Sequence, residues 1–325
     1  MQTDPIPEFQ MSVRKRIGHC LLAVMMAFAL AACGGGGEDN TTKNGNDGNG
    51  GTPPAMAPAT PPASIPVTGK STKRGIAYDL ASAADFAALA PGVSWWYNWA
   101  AQPNAAAPAD AKSAYGMDHI PMLWNDNFDA VAVEAYLLAR PGIRYLLLMN
   151  EPNLVDQANL SPAAAAAAWP RYESIAARTG VKLVGPAITW GTMPGYEDPV
   201  TWLDAFYAAY RTANGGRDPR IDYLAFHWYD YGLGGQLDRL AKYGKPFWVT
   251  EFANWHAGND GAQIDTLDKQ KRQMQEMVAT CEQRADVFRY AWFTGRWGHD
   301  VHFTSLLAAD GALTELGRYY LSLPY

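Results

Sequence analysis

Two glutamates in this sequence, Glu151 and Glu251, each follow a short and mostly apolar run, residues 143–149 and residues 246–249. Both runs are too short for independent helices, so each is predicted to be a strand that is covered on both faces. A carboxylate at the end of such a strand costs free energy unless it is paired or hydrogen-bonded. Two of them at equivalent strand ends therefore indicate a site where one carboxyl group donates a proton and the other attacks as a nucleophile.

Strand-like and helix-like segments alternate from Arg74 onward. Ser161-Pro162 begins an alanine-rich helical run and Thr179-Gly180 ends it, which fits the usual preferences at helix starts and stops. Strand and helix alternation repeated eight times predicts an α/β fold, a (β/α)8 TIM barrel, formed as a single catalytic domain by residues 70–325. The predicted strands are residues 74–79, 93–99, 119–124, 143–151, 182–189, 221–229, 246–252 and 287–294, and the predicted helices are residues 83–89, 107–114, 129–139, 162–179, 199–212, 233–243, 266–283 and 314–321.

The carboxyl ends of the predicted strands are rich in polar and aromatic side chains, whereas the starts of the strands are not. Active sites of such barrels lie on this face. Aromatic rings stack on the apolar faces of sugars, while amide, imidazole and acid groups bond the hydroxyls, so this rim suits a carbohydrate. The candidate substrate-binding residues are Tyr97, Asn98, Trp124, Asn150, Trp190, His227, Tyr229, Trp255 and Trp292.

Only some of the rim aromatics can face a substrate. The sequence holds 12 Trp, and about half of these are expected in the core, notably Trp169 and Trp202 on helices. Neighbouring residues of a strand face opposite sides, so a register error of one residue would exchange the two sets. His227 alone would more often be a core histidine, but its place on this rim favours a role, shared with Tyr229, in orienting the nucleophile.

Charge and cysteine content disfavour several classes of function. The formal net charge is −6, which makes a nucleic-acid partner unexpected. Cys281 lies in an amphipathic stretch without a nearby His or basic partner, so it is not expected to be a nucleophile. The sequence has no Cys-x-x-Cys motif and no tight His cluster, so no metal and no other cofactor is predicted.

The segment before the barrel is predicted to direct export. Residues 1–32, with the basic triplet 14–16 and the apolar stretch 21–31, are typical of a signal peptide with an N-terminal extension. The sequence Leu-Ala-Ala-Cys-Gly around Cys33 resembles the bacterial lipoprotein box, which implies cleavage before Cys33 and its lipidation. An ordinary signal peptide with an incidental cysteine is the alternative.

Residues 33–69 are rich in Gly, Asn and Pro and are predicted to be a flexible tether, because they cannot bury enough apolar surface to fold. We therefore expect a secreted protein that is lipid-anchored at the bacterial outer membrane or cell surface and that meets the membrane only through its lipid. Gly34 after the cysteine favours the outer membrane, by resemblance to known sorting.

Six motifs taken together resemble glycoside hydrolase family 128, which belongs to the clan of retaining glycosidases built on eightfold barrels. The resemblance covers about residues 74–320. It implies hydrolysis of β-1,3-glucan with retention, with Glu151 as acid/base and Glu251 as nucleophile. We expect a monomeric endo-β-1,3-glucanase that binds β-1,3-glucan oligosaccharides or polysaccharides, while the choice between endo and exo cleavage depends on the loops. The motifs are Trp96-Tyr97-Asn98-Trp99, Pro121-Met122-Leu123-Trp124, Asn150-Glu151-Pro152-Asn153, Phe226-His227-Trp228-Tyr229, Trp248-Val249-Thr250-Glu251-Phe252 and Tyr290-Ala291-Trp292-Phe293.

Two alternatives stay open. The same glutamates would serve another β-glycan, such as β-1,4-glucan, mannan or xylan. A surface lipoprotein that binds glycans without cutting them would need the aromatic rim but not both acids. Loops at residues 191–198, 254–263 and 296–305 are expected to shape the cleft.

Overall fold

A computed structural model describes residues 69–325, in which nine parallel strands form one sheet. The predicted signal peptide, Cys33 and nearly all of the tether lie outside these described residues, so the interpretations made for them stay predictions. The strands are β1 (Arg74–Ala77), β2 (Trp95–Tyr97), β3 (Asp118–His119), β4 (Met122–Leu123), β5 (Tyr145–Leu148), β6 (Lys182–Ile188), β7 (Tyr223–Trp228), β8 (Phe247–Phe252) and β9 (Val287–Trp292).

The nine strands correspond to the eight predicted ones because the third predicted strand is interrupted. β3 pairs with β2 and β4 pairs with β5, and Ile120 and Pro121 alone separate β3 from β4. Ile120 donates its N–H to Trp96, and the Pro121 carbonyl accepts from Leu147, at 2.9 Å each. Proline has no N–H for a regular ladder, which explains the break. This segment joins the two ends of the sheet, so the predicted single-domain TIM barrel is confirmed.

Eight α-helices pack around the strands of residues 69–325, and side-chain caps fix where several begin. Ser161 accepts from the N–H of Ala164, and Asp198 accepts from the N–H of Val200. Gly180, with a φ of 80°, ends the long alanine-rich helix. The helices are α1 (Ala83–Leu89), α2 (Ala111–Tyr115), α3 (Ala130–Leu138), α4 (Pro162–Thr179), α5 (Pro199–Ala213), α6 (Leu233–Leu240), α7 (Leu267–Gln283) and α8 (Glu315–Ser322). None of them combines the length and the apolar character that a bilayer crossing needs.

Side chains alternate between the barrel interior and the helix-facing side of the sheet. Tyr97 on β2 belongs to the interior cluster, and its neighbour Trp96 packs with the helices. At the end of β9 Trp292 packs with the helices, and the next residue, Phe293, belongs to the interior. The alternation thus decides which aromatic of each adjacent pair can reach a ligand in the barrel mouth.

Regular alternation fails at the end of β8. Val249 and Phe252 both pack on the helix side, although they are three residues apart. The pairing of β8 with β9 shifts register between these two residues. An extra residue in the strand is the ordinary cause of such a shift. Without it Glu251, which comes two residues after Val249, would share the helix-facing side instead of entering the barrel.

Candidate active site

Three ionisable side chains meet at the carboxyl ends of β5, β7 and β8. Glu151 comes three residues after the end of β5, His227 lies in β7 and Glu251 lies in β8. A carboxylate oxygen of each glutamate and a ring nitrogen of His227 all lie within 4.8 Å of one another, and no residue of the three is more than 1% exposed. The two predicted glutamates therefore share one buried cluster.

His227 bridges the two glutamates. Its Nδ1 lies 2.9 Å from Oε1 of Glu151 and 3.6 Å from Oε1 of Glu251, and its Nε2 lies 2.9 Å from Oγ1 of Thr250. An ionised carboxylate can only accept, so beside an ionised Glu151 the ring carries its proton on Nδ1 and Thr250 donates to Nε2. Beside a protonated Glu151, the carboxyl group can donate to Nδ1 and Nε2–H can donate to Thr250. Each protonation state of Glu151 thus has a matching tautomer of His227.

Glu251 receives three hydrogen bonds from aromatic side chains. The Tyr97 hydroxyl and the Trp99 indole N–H donate to its Oε1 at 2.9 Å and 2.8 Å. The Tyr229 hydroxyl donates to its Oε2. Donors of this kind stabilise the charged form of a carboxylate and fix its orientation. The arrangement suits a carboxylate that must stay ionised and attack in one direction.

The backbone is strained beside this cluster. Trp99, Met149 and Glu151 have φ values of 59°, 53° and 46°, a left-handed conformation that residues other than glycine rarely adopt. Each such residue costs about 1–3 kcal/mol and persists where the surroundings hold it. The turn at Glu151 is held because its N–H donates to Ala187 at 2.8 Å, and its carbonyl accepts from Leu154 at 3.0 Å.

The two asparagines that flank the first glutamate have different roles. Asn150 is fully buried and donates to Gln157 at 3.0 Å, while its Oδ1 has no hydrogen-bond partner within residues 69–325. Asn153 instead donates to the carbonyl of Thr189 at 2.7 Å, and its own carbonyl accepts from Thr192 and Met193. Asn153 therefore fastens the loop at residues 191–198 to the barrel.

Five aromatic side chains line one side of the cluster, and we call them the aromatic wall. Neighbouring ring centroids in the wall lie 5.0–5.9 Å apart, mostly with edges against faces. Four of the five are half-buried, so part of each ring faces solvent and can cover the apolar face of a sugar. The wall consists of Trp99, Tyr229, Trp255, Phe293 and Trp297.

The predicted binding residues do not all reach this cluster. Tyr97, Asn150, His227, Tyr229 and Trp255 lie in it or in its wall. Trp124 and Trp190 are half-buried, and their assignment to the substrate stays a prediction. The Trp124 carbonyl accepts from the N–H of Asn150 at 2.8 Å, and the Trp190 indole donates to Gln236 at 3.0 Å. Asn98 donates to Asp79 and accepts from His119, at 3.0 Å and 2.9 Å, so its amide is engaged within the protein.

The assignment of Trp292 to the substrate is wrong. Its side chain is fully buried on the helix side of β9, where the indole N–H donates to the Thr304 carbonyl at 2.8 Å and the ring packs against Phe252. Phe293 faces the site instead of Trp292, as a member of the aromatic wall, because consecutive strand residues face opposite sides.

Sequence reasoning also missed Trp99, Phe293 and Trp297 as site residues. Trp99 comes two residues after Tyr97, and this spacing on the same face was the signal that could have identified it.

Glu151, His227 and Glu251 also form the one group within residues 69–325 whose donor atoms lie close enough to share a metal ion. Both oxygens of Glu251 already accept hydrogen bonds from Tyr97, Trp99 and Tyr229. A cation would compete with these donors. The absence of a metal therefore stays a prediction, tested by chelation.

Two of the three loops expected to shape the cleft carry members of the wall. The loop with Trp255 is pinned by His256, which lies 3.1 Å from Asp230 and 2.9 Å from Asp260. Partial burial disfavours the protonated ring, but the hydrogen bonds and charges of the two carboxylates outweigh it and raise the pKa of His256. The loop with Trp297 is pinned by Arg296, which donates to Asp85 at 2.7 Å and 2.5 Å.

The chain is similar to several known glycoside hydrolases. The model of the glycosyl hydrolase catalytic core family matches residues 75–320. A glycoside hydrolase family 128 (subgroup II) endo-β-1,3-glucanase from Pseudomonas viridiflava is 67% identical, with a TM-score of 0.78, over 79% of this chain and 100% of that one. The subgroup II enzyme from Sorangium cellulosum is 37% identical, with a TM-score of 0.66, over 78% of this chain and 98% of that one.

Two more distant relatives extend the comparison. A subgroup I endo-β-1,3-glucanase from Amycolatopsis mediterranei, solved with laminaritriose, is 27% identical, with a TM-score of 0.59, over 78% of this chain and 99% of that one. Alkali-sensitive linkage protein 1 from Schizosaccharomyces pombe is 29% identical over 267 residues, which are 78% of this chain, and the chain spans 45% of its length.

The family match extends over nearly the whole barrel, and the Pseudomonas structure is covered from end to end. This chain therefore belongs to the glycosyl hydrolase catalytic core family, among the family 128 enzymes, and is a glycoside hydrolase.

Proposed function

We propose that the protein is a retaining endo-β-1,3-glucanase in which Glu251 is the nucleophile and Glu151 is the acid/base. One observation carries the mechanism: carboxylate oxygens of the two glutamates lie within 4.8 Å of each other. Retaining glycosidases hold their carboxyl groups about 5–5.5 Å apart, whereas inverting ones leave about 6.5–9.5 Å for a water molecule. The spacing at this site supports direct attack by one carboxylate.

The proposed reaction has two steps. Glu251 attacks the anomeric carbon, the bond to the glycosidic oxygen breaks, and Glu151 gives that oxygen its proton. Glu151, now ionised, takes a proton from water, whose oxygen attacks the same carbon and releases Glu251. The Nδ1 of His227 is 2.9 Å from Oε1 of Glu151, so the tautomer with its proton on Nδ1 can donate to that carboxylate when it is ionised.

Three hydrogen bonds support the assignment of Glu251 as the group that starts ionised. Glu151 lies closer to His227 than Glu251 does, since Nδ1 is 2.9 Å from Oε1 of Glu151 and 3.6 Å from Oε1 of Glu251, and one tautomer of the ring matches each protonation state of Glu151. The different surroundings of Glu151 and Glu251 therefore assign one to the acid/base role and the other to the nucleophile role.

The substrate and the internal mode of cleavage are proposed from the relatives. Both subgroup II enzymes are described as endo-β-1,3-glucanases, and one of them is 67% identical to this chain. The subgroup I structure was solved with laminaritriose. The aromatic wall offers the stacking surface that such an oligosaccharide needs.

The test compares wild type with Glu151→Gln and Glu251→Gln on β-1,3-, β-1,4- and β-1,6-glucans, mannan and xylan. We expect oligosaccharides from the β-1,3 polymer alone, a first product with retained β configuration by proton NMR, and almost no turnover in either variant. Glu173→Gln is the matched control, because Glu173 accepts hydrogen bonds from Arg217 but lies outside the cleft. An α product or full activity in either cleft variant would refute the mechanism. Binding without products in the wild type would indicate a glycan-capturing lipoprotein.

We also propose secretion and lipid attachment at Cys33, supported by the lipoprotein-like sequence around that residue. Labelling with a fatty acid in a bacterial host should mark the wild type but not Cys33→Ser. Equal labelling, or none in either protein, would favour the ordinary signal peptide. Light scattering on the isolated enzyme tests the expected monomer.

A further inference from the structure

The imidazole of His302 lies beside the aromatic wall. Its ring centroid is 6.0 Å from that of Trp255, and the planes of the two rings are 18° apart, so the rings are nearly parallel. His302 is half-buried and belongs to the loop at residues 296–305, which follows β9 at the mouth of the barrel and also carries Trp297. A polar ring therefore adjoins the surface that is proposed to cover the sugars.

One nitrogen of this imidazole is engaged within the protein. Nδ1 of His302 lies 3.2 Å from the carbonyl oxygen of Ile264, and because a carbonyl can only accept, Nδ1 carries the proton of the neutral ring. Burial lowers the pKa of His302, so the ring is neutral at neutral pH. Its other nitrogen, Nε2, is then a lone-pair acceptor.

The Nε2 atom of His302 is accessible. It has no hydrogen-bond partner within residues 69–325, and it retains accessible surface, unlike the partnerless Nδ1 of His119, which is buried. The two nitrogens of an imidazole ring point in different directions, so Nε2 does not face Ile264. A hydroxyl group of a ligand in the barrel mouth can donate to it.

The turn that presents His302 is strained and held by several contacts. The next residue, Phe303, has a φ of 57°, a left-handed conformation that residues other than glycine rarely adopt. Asp300 holds the turn, since its carboxylate accepts from the N–H groups of Thr304 and Ser305 at 2.7 Å and 2.6 Å. Strain that the surroundings maintain in this way is concentrated at binding and catalytic sites.

Gln270 of α7 joins this turn to the loop that carries Trp255. Its side chain is fully buried, and its amide group donates to the carbonyl of His302 at 2.7 Å and to the carbonyl of Asn254 at 2.8 Å. The position of His302 relative to Trp255 is thus fixed before a ligand binds. A group fixed in advance loses less conformational freedom on binding.

We propose that His302 is a further substrate-binding residue, whose Nε2 accepts a hydrogen bond from a hydroxyl group of the glucose unit that stacks on Trp255. The wall covers the apolar face of this unit, and the acceptor beside the wall selects a sugar with a free hydroxyl at that position. This inference rests on the proposed β-1,3-glucanase function and adds to it a residue that recognises the sugar.

Two substitutions separate the acceptor from the packing role of the ring. The amide of Asn has the length to replace Nδ1, so His302→Asn keeps a donor for Ile264 and lacks the acceptor. The amide of Gln has the length to replace Nε2, so His302→Gln keeps an acceptor and loses that donor. Binding of laminarihexaose is measured by calorimetry in the Glu251→Gln background, which prevents cleavage. We expect His302→Asn to weaken binding about tenfold and His302→Gln to retain most of it.

Kinetics and NMR provide independent readouts. With Glu251 intact, His302→Asn should raise KM about tenfold and leave kcat nearly unchanged, because the acceptor binds substrate and transition state alike. In the Glu251→Gln background, laminarihexaose should shift the nitrogen-15 resonance of Nε2 of His302. His299→Asn is the matched control, since His299 is an exposed histidine of the same loop, and it should bind as the background does.

The results that would overturn this inference differ from those that would overturn the proposed function. Unchanged affinity in His302→Asn, or an Nε2 resonance that does not move on binding, would refute the role of His302 and leave the glucanase proposal standing. Loss of binding in His302→Gln but not in His302→Asn would show that His302 only holds its loop through Ile264. No binding of laminarihexaose by the Glu251→Gln background and no cleavage by the wild type would refute both.

Discussion

Shortening the proposed nucleophile by one methylene tests the geometry of the site most directly. In Glu251→Asp the carboxylate keeps its charge but withdraws by about 1.5 Å, the length of one carbon–carbon bond. The donors cannot follow it, because Tyr97 is fully buried and Trp99 and Tyr229 are packed in or beside the aromatic wall. Both the line of attack and some of the hydrogen bonds at 2.8–2.9 Å are then lost.

The expected loss follows from that displacement. A misplacement of about 1 Å costs roughly 100-fold in rate, or ~2.7 kcal/mol of barrier. We therefore expect kcat on a soluble β-1,3-glucan to fall at least about 100-fold, while KM changes little because the sugar contacts remain. Reducing-end release gives both constants, and circular dichroism checks the fold.

The matched control is Glu173→Asp. Glu173 is also a hydrogen-bonded carboxylate, bound by Arg217 at 2.7 Å and by the N–H of Arg220 at 2.7 Å, but it lies on α4 away from the cleft. Its variant should keep wild-type kcat. If Glu251→Asp keeps activity within about tenfold of wild type, the carboxylate does not act by close attack and the reasoning fails.

Three further predictions concern neighbouring residues. Trp99→Phe removes one of the three hydrogen bonds that orient Glu251, so kcat/KM should fall about tenfold or more, and an unchanged value would show that the bond does not matter. Phe293→Ala should raise KM for laminari-oligosaccharides, whereas Trp292→Phe should lower the melting temperature and leave KM unchanged. The opposite pattern would show that Trp292, and not Phe293, faces the substrate. Because the pKa of His256 is raised, its contribution to stability is complete below about pH 6.5 and is lost as the pH rises through the higher folded value. His256→Gln should therefore lower the urea midpoint more at about pH 5.5 than at about pH 9. An equal loss at both pH values would show that a protonated His256 does not stabilise the fold through Asp230 and Asp260.

Much of the fold could be predicted because its signals are local. The helix over residues 162–179 begins and ends where the Ser161 cap, Pro162 and Gly180 predict. The strands of the barrel core read as short apolar runs, and the observed strands fall within the predicted ones, except that β3 begins one residue earlier at Asp118. The interruption at Pro121 was missed. Proline was visible in the sequence, but whether its missing N–H breaks a strand depends on which neighbour that position faces.

The closeness of Glu151 and Glu251 could also be predicted from the sequence. Each ends an apolar run, and parallel strands bring their carboxyl ends to the same mouth. Only two of the three donors to Glu251 were predicted from the sequence, since Tyr229 and Tyr97 were identified as site residues and Trp99 was not.

The sequence by itself determined the order of strands and helices, the helix ends and the two acids at strand ends, since each depends on residues close together in the chain. The tertiary structure decided which side chains face the substrate. Along a regular strand the faces simply alternate, but the register shift before Phe252 turns Glu251 into the barrel, and the register of β9 places Phe293 there instead of Trp292. Register is set by hydrogen bonds to the neighbouring strands, which lie far away in sequence, so local pattern cannot fix it.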